Sequence, residues 1–310
     1  MSVQGKTPAV EVCDLKVRFG SFTAVDGIDF EVRAGEIFGF LGANGAGKTT
    51  TIRCLCGLLI PTGGRVLVGG ADVAKDPTAV KSIVGYMSQK FTLYSDLTIE
   101  ENLNFAASLR KLDRSLRDRR IRELYGLIDL KVPGKTMVRD LPGGILQQVA
   151  LVAAMLHDPS IIFLDEPTAG VTPANRALFW DLIGKISAEG RTVFVTTHYM
   201  DESERCNRIA LMRSGKIIAL GSPSELKEQT FPEPVYELTP PERPDPGWLA
   251  SLKADPFIDS IQPYGMRYHV RTNDAARWGA RCEKLEGFEI RRIEPSMEDV
   301  FIKRVEGESR

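Results

Sequence analysis

The strongest constraint on the fold lies between residues 37 and 55. A continuous apolar run, Ile37 to Leu41, passes at once into Gly42-Ala43-Asn44-Gly45-Ala46-Gly47-Lys48-Thr49, and a helix is predicted to begin near Lys48. An unbroken apolar strand fits a sheet covered on both faces. Glycines in the turn let the backbone curl until its N–H groups point at one spot. A helix start behind them adds a dipole that favours negative charge. The spacing and the strand-before, helix-after context are those of a phosphate-binding loop. In such a loop Lys48 supplies positive charge to the β- and γ-phosphates, and the Thr49 hydroxyl can ligate Mg²⁺.

A second element narrows the reading. Ile161-Ile162-Phe163-Leu164-Asp165-Glu166 is an apolar strand ending in two acids. Asp165 at the strand end can hold Mg²⁺ through water, and Glu166, one residue on, can polarise an attacking water as general base.

Composition excludes several classes. The chain has 310 residues and a formal net charge of −1, whereas a general nucleic-acid binder would show a clear basic excess, so no nucleic-acid partner is expected. Arg110, Lys111, Arg114, Arg117, Arg119 and Arg120 are interspersed with acids and read as a solvated helix face. No apolar run approaches the roughly 18 to 20 residues that span a bilayer; Val149 to Leu156 reads as a buried helix. The first ten residues lack the apolar segment of a signal peptide. The expected location is therefore cytoplasmic, with any membrane role exerted through a partner. Cys13, Cys54, Cys56, Cys206 and Cys282 form no zinc or disulfide pattern and read as reduced, mostly buried thiols.

The predicted organisation is α/β. Strands are expected at Val10 to Phe19, Phe30 to Arg33, Glu36 to Leu41 and Arg65 to Val68. Residues 91 to 160 read as mainly helical, including Leu97 to Leu109, which opens with Thr98, Glu100 and Glu101. Strands return at Ile161 to Leu164 and Thr192 to Thr196, with a helix over Phe179 to Ser187 between them. These elements form one domain over 8–225. Prolines clustered after residue 230 suggest a linker at 226–233, followed by a small α+β domain over 234–310. Its order of strand, helix, strand, strand, helix, strand matches a ferredoxin-like motif.

Over residues 10 to 225 the chain resembles the ABC ATPases. The resemblance implies a P-loop cassette, a mixed sheet with a helical subdomain near 91–160, binding ATP and Mg²⁺ at Gly42 to Thr50. Gln89, in Val84-Gly85-Tyr86-Met87-Ser88-Gln89, is similar to the family's Q-loop glutamine, which meets Mg²⁺ and water and adjoins the permease. His198, after the strand Val193 to Thr197, resembles the switch histidine that contacts the γ-phosphate and orients Glu166. Phe19 takes the place of the aromatic that stacks on adenine; its other reading is a strand core residue. Leu141-Pro142-Gly143-Gly144-Ile145 stands where the family has Leu-Ser-Gly-Gly-Gln, the signature that closes over ATP on a second ATPase subunit.

Departures from the family pattern sort by geometry. Lys48, Thr49, Gln89, Asp165, Glu166 and His198, which would serve ATP held by this chain, all match. Pro142 replaces a serine, removing a hydroxyl and a backbone N–H. Ile145 replaces a glutamine, Gln148 an arginine, and Thr172 an aspartate. Positions 142, 145 and 172 would face the partner. Both a heterodimer with an intact second signature and a homodimer fit this pattern.

The ending Glu294-Pro295-Ser296-Met297-Glu298-Asp299-Val300-Phe301 resembles that of ABC-2-type exporter ATPases, which implies an integral-membrane permease as partner. Its contact is expected along Gln89 to Asp96, including Phe91, Leu93 and Tyr94. A soluble ABC ATPase without a transporter, or an ATP-gated dimerisation module with weak hydrolysis, stays open as an alternative. The absence of an Asn-Lys-x-Asp motif speaks against a GTPase.

Overall fold

The computed structural model describes residues 7–89, 93–232, 234–242 and 244–307. The chain divides into two compact units, Met1–Pro223 and Ser224–Arg310.

In the first unit, strands β1 (Val10–Phe19), β2 (Phe22–Val32), β4 (Gly63–Val68) and β5 (Ala71–Asp72) form an antiparallel sheet in the order β2-β1-β4-β5. A second sheet runs β10-β9-β3-β8-β7-β6. Its members are β3 (Ile37–Leu41), β6 (Val84–Met87), β7 (Ile161–Asp165), β8 (Thr192–Thr197), β9 (Arg208–Arg213) and β10 (Lys216–Gly221). The pairs β9/β3, β3/β8, β8/β7 and β7/β6 are parallel, and β10 is an antiparallel edge. Every residue of β3, β7 and β8 is buried, as expected for parallel strands covered on both faces. Parallel pairing puts the carboxyl ends of β3, β6, β7 and β8 side by side.

The two sheets pack through aromatic rings. Phe30 of β2 lies 5.7 Å from Phe38 and 5.5 Å from Phe40 of β3, and Phe194 of β8 lies 5.4 Å from both Phe40 and Phe163. Helix α1 (Lys48–Leu55) adds Ile52, Cys54 and Leu55 to this core. Three cysteines are buried, whereas Cys13 is exposed and Cys282 half-buried; all are free. Burial pushes the Cys54 thiol up to about 12, so it stays protonated.

The helical part consists of α3 (Ile99–Leu109), α4 (Arg114–Leu127) and α5 (Gly143–Met155); α2 (Pro77–Ile83) precedes it. Thr98 and Glu101 form a reciprocal capping box at the start of α3, which is why Thr98 marks the boundary. The basic stretch is largely engaged: Arg120 donates to the Met155 and Leu156 carbonyls at 3.3 and 3.4 Å, closing the end of α5, and pairs with Glu123 and Asp158. Cations suit the carbonyl end of a helix. Helix α6 (Pro173–Ala188) starts six residues earlier than the Phe179 expected, at Pro173, whose fixed φ suits a first helical turn.

In the second unit, β11 (Val235–Thr239), β12 (Ile258–Tyr264), β13 (Arg267–Thr272) and β14 (Glu289–Ile293) form an antiparallel sheet ordered β12-β13-β11-β14. With α8 (Trp248–Lys253) and α9 (Ala275–Cys282) as crossovers, this is the ferredoxin-like order. Leu238, Leu252, Val270, Trp278 and Leu285 form its core. The stretch 226–233 read as a linker differs in part, since Pro223–Thr230 form helix α7, whereas β11 is the first strand expected of the small domain and lies centrally in its sheet. Pro232, Pro234, Pro240 and Pro241 bracket that strand without interrupting it, so no ladder hydrogen bond is lost. Helix α10 (Met297–Gly307) closes the unit.

Candidate active site

The carboxyl ends of four neighbouring strands deliver the site. The glycine loop follows β3, Gln89 lies two residues beyond β6, Asp165 ends β7 with Glu166 next, and His198 follows β8. A cavity of about 420 Å³ is lined by Phe22, Ala24, Asn44, Gly45, Gly47, Lys48, Thr49, Thr50, Gln89 and Glu166. Residues more than a hundred positions apart thus meet because parallel register aligns Leu41 with Thr197 and Asp165 with Thr196.

Glu166 is 7% exposed and sits at φ +49, a left-handed conformation. A non-glycine residue pays for such a backbone, and held conformations of this kind concentrate at functional sites. The Glu166 amide donates to Thr196 O at 3.1 Å and Thr196 Oγ1 at 2.9 Å, which pins the turn. Both carboxylate oxygens are engaged. Lys48 Nζ lies 3.2 Å from Oε1, while Gln89 Nε2 and His198 Nδ1 lie 3.1 and 3.2 Å from Oε2. Lys48 also donates to the Gly42 and Ala43 carbonyls at 2.7 and 3.2 Å.

Asp165 is 1% exposed. Its Oδ1 accepts from Thr196 Oγ1 at 2.7 Å and from Thr49 Oγ1 at 3.2 Å. Its Oδ2 is buried and makes no hydrogen bond among the described residues. Burial pushes its pKa up against the pull of the two hydroxyls. A buried carboxylate oxygen without a donor, beside a threonine hydroxyl, is a donor set of hard oxygens that fits Mg²⁺.

Gly42, Ala43 and Ala46 shape the loop without lining the cavity; Ala46 is buried and its amide closes on Ala43 O at 3.2 Å. Phe19 is 52% exposed, so it is not a core residue, and it does not line the cavity. The aromatic that does is Phe22, which pairs with Phe19 across the β1–β2 turn. Sequence reasoning missed Phe22 because only the hairpin register shows which ring faces the loop.

Leu141, Pro142, Gly143 and Gly144 lie away from this cavity, at the start of α5. Pro142 is exposed and caps the helix with its carbonyl, which accepts from the Ile145 and Leu146 amides at 3.0 Å each, but with no side-chain bond. Gly144 lies against Asn175 of α6, where an added Cβ would meet Asn175 Nδ2 at 3.0 Å. Leu93 is half-buried, and Tyr94, 52% exposed, packs edge-on against Phe105 at 5.3 Å. Phe91 lies outside the described residues. No described helix is long and apolar enough to cross a membrane.

A glycine-rich turn between strand and helix, an orphaned carboxylate oxygen and a buried carboxylate held by lysine, glutamine and histidine, all at the carboxyl edge of a parallel sheet, are the features of a P-loop nucleotide-binding fold. The ABC transporter family model matches residues 25–169. A probable multidrug ABC transporter ATP-binding protein of Escherichia coli is 44% identical over 232 residues, 74% of this chain; the chain spans 40% of that protein's length. A Nod factor export ATP-binding protein of Rhizobium is 32% identical over 301 residues, 95% of this chain and 96% of its own length. The cbiO1 structure from Clostridium perfringens, part of the ABC transporter complex cbiONQ, shares the fold at TM-score 0.66 and 24% identity, covering 71% of this chain and 91% of its own. The chain belongs to the ATP-binding subunits of ABC transporters.

Proposed function

We propose that this chain hydrolyses ATP for an ABC-2-type exporter, coupling closure of an ATPase dimer to a separate integral-membrane permease on the cytoplasmic face. The observation that carries the catalytic part is the Glu166 carboxylate, held between Lys48, Gln89 and His198. The amides of the loop and the first turn of α1, with Lys48, bind the phosphates of ATP. Phe22 and Phe19 offer exposed rings for the adenine. Glu166 takes the proton from the attacking water, and His198 and Gln89 hold that carboxylate in place. Asp165 and Thr49, with Gln89 beside them, would hold Mg²⁺, which when bound neutralises charge on the transferred phosphoryl group.

Support for export comes from relatives. Besides the multidrug and Nod factor export proteins, a daunorubicin resistance ATP-binding protein of Streptomyces coeruleorubidus is 37% identical over 72% of this chain. The exposed Tyr94 and Phe105 pair offers the permease an aromatic contact.

A second ATPase subunit would set Leu141 to Gly144 over the nucleotide. Pro142 offers no hydroxyl there, which favours a partner with an intact signature; Gly143, Gly144 and the start of α5 still present amides. ATP turnover of the chain alone and mixed with a partner ATPase separates the two arrangements, since vigorous turnover alone favours the homodimer. The reading as a whole is tested by Glu166→Gln. Turnover should fall by about 100-fold or more with ATP still bound. Turnover that survives the substitution removes the proposal.

A further inference from the structure

A buried carboxylate that the proposed reaction leaves unused lies behind the site. Glu202 is 3% exposed and belongs to the short helical segment Met200–Arg205. Its Oε2 accepts from Thr197 Oγ1 at 2.6 Å; its Oε1 accepts from Thr168 Oγ1 at 2.7 Å and Arg176 Nε at 3.0 Å. Thr197 is the last residue of β8, immediately before His198, and its Oγ1 also accepts from the Tyr199 amide at 3.0 Å. Thr168 stands two residues beyond Glu166, in the turn that Ala169 N closes on Glu166 O at 3.2 Å.

Arg176 lies in the first turn of α6, directly after loop 169–172, and its amide donates to Thr172 O at 2.9 Å. Its guanidinium lies 3.8 Å from the centre of the Tyr199 ring and reaches Asp201 at 2.8 and 3.0 Å. The bland alternative is an ion pair that only fastens residues 200–205 to α6. The Arg176–Asp201 bridge already does that. The two hydroxyls come instead from the two segments that carry Glu166 and His198, and each takes a different carboxylate oxygen.

We propose that Glu202 is a positioning residue for hydrolysis: by holding Thr168 and Thr197 on its two oxygens it sets the spacing between Glu166 and His198, and through Arg176 it ties that spacing to loop 169–172 and α6. The proposal rests on Glu166 and His198 being the hydrolytic pair. A group acting only through geometry should alter the chemical step and leave substrate affinity nearly alone. It should also lose its effect once the residue it positions is gone.

The test is steady-state ATP turnover by the full-length chain carrying Glu202→Gln, His198→Ala or both, beside Glu166→Gln. Glu202→Gln should lower kcat by about 10- to 100-fold, because small displacements of catalytic groups cost that much, with the KM for ATP within about twofold of wild type. Adding it to His198→Ala should cost less than about twofold further. Thr168→Val and Thr197→Val keep the Arg176 pair and should each lower kcat in the same direction; they carry the test if Glu202→Gln fails to fold. A Glu202→Gln chain at wild-type kcat, or one whose defect multiplies fully with His198→Ala, overturns the proposal. Turnover untouched by Glu166→Gln overturns the underlying reading of the site, whereas turnover lost in Glu166→Gln but kept in Glu202→Gln overturns this inference alone.

Discussion

Lys48 Nζ and Glu166 Oε1 lie 3.2 Å apart with both side chains almost wholly buried, at 4% and 6% exposure. The ammonium proposed to bind phosphate and the carboxylate proposed to act on water therefore neutralise each other across 118 residues of chain. Two neighbours, Gln89 and His198, share the other oxygen of Glu166.

That pairing has a thermodynamic signature. Lys48→Ala leaves a buried carboxylate without its ammonium and should destabilise the protein by about 3–5 kcal/mol. Lys48→Ala with Glu166→Gln removes both charges and should recover most of that loss. Urea unfolding of the two variants without nucleotide measures the difference; equal midpoints would show that the pair carries no coupling.

Asp165→Asn tests the proposed metal site. Asparagine keeps an acceptor for Thr196 and Thr49 but turns the orphaned Oδ2 into an NH₂ group, which cannot ligate a cation. ATP affinity measured in EDTA should stay within about twofold of wild type, while the gain on adding Mg²⁺ should disappear, since it rests on the lost ligand. Calorimetric titration with and without Mg²⁺ reads both.

Two glycines of the phosphate loop should respond differently to alanine. A Cβ on Gly42 would lie 2.2 Å from the Met212 carbonyl oxygen, a backbone atom that cannot step aside, whereas Gly45, at φ +81, faces open space. Gly42→Ala should cost at least about 2–3 kcal/mol by overpacking. Gly45→Ala should cost about 1 kcal/mol from backbone strain alone. Denaturation midpoints check the order.

At Pro142 the helix start lacks a side-chain cap. Pro142→Ser supplies a hydroxyl that can accept from an amide of the first turn of α5, worth about 0.5–1 kcal/mol. If 141–144 act as the signature proposed above, the same hydroxyl should also raise turnover by the isolated chain. A more stable variant with unchanged turnover would separate the capping role from the nucleotide role.

The second unit should show a bell-shaped dependence of stability on pH. His269 Nδ1 lies 3.0 Å from Asp299 Oδ1, and Asp299 Oδ2 accepts from the Ser296 amide and hydroxyl at the start of α10. The Asp299 hydrogen bond, against the effect of burial, raises the pKa of His269 above 6.5. Burial pushes Asp299 up, but the bonds from His269 and Ser296 prevail and hold it below 3.8. The histidine's contribution is complete below pH 6.5 and fades as pH rises through its folded value. The aspartate's is complete above pH 3.8 and fades as pH falls through its own. Stability should peak between those limits and fall above pH 6.5, by an amount on the order of 1 kcal/mol. His269→Gln should flatten the alkaline limb, read from the fluorescence transition of Trp278 and Trp248.

Lys48, Thr49, Asp165 and Glu166 could be placed from one dimension because their geometry is encoded in contiguous residues. A strand, a glycine turn and a helix start are local, and each needs little beyond its neighbours to take shape. The order of the small unit's strands was equally open to reading, since alternation and length distinguish strand from helix. Phe22, the grip of Lys48, Gln89 and His198 on Glu166, and the Glu202 network belong to the other kind. Hairpin pairing places Phe22, whereas the groups around Glu166 and the Thr168 bond to Glu202 join residues 32 or more positions apart, brought together by parallel register. Those contacts form only when distant strands align, so a buried carboxylate such as Glu202 looks in the linear chain like any other acid on a polar turn.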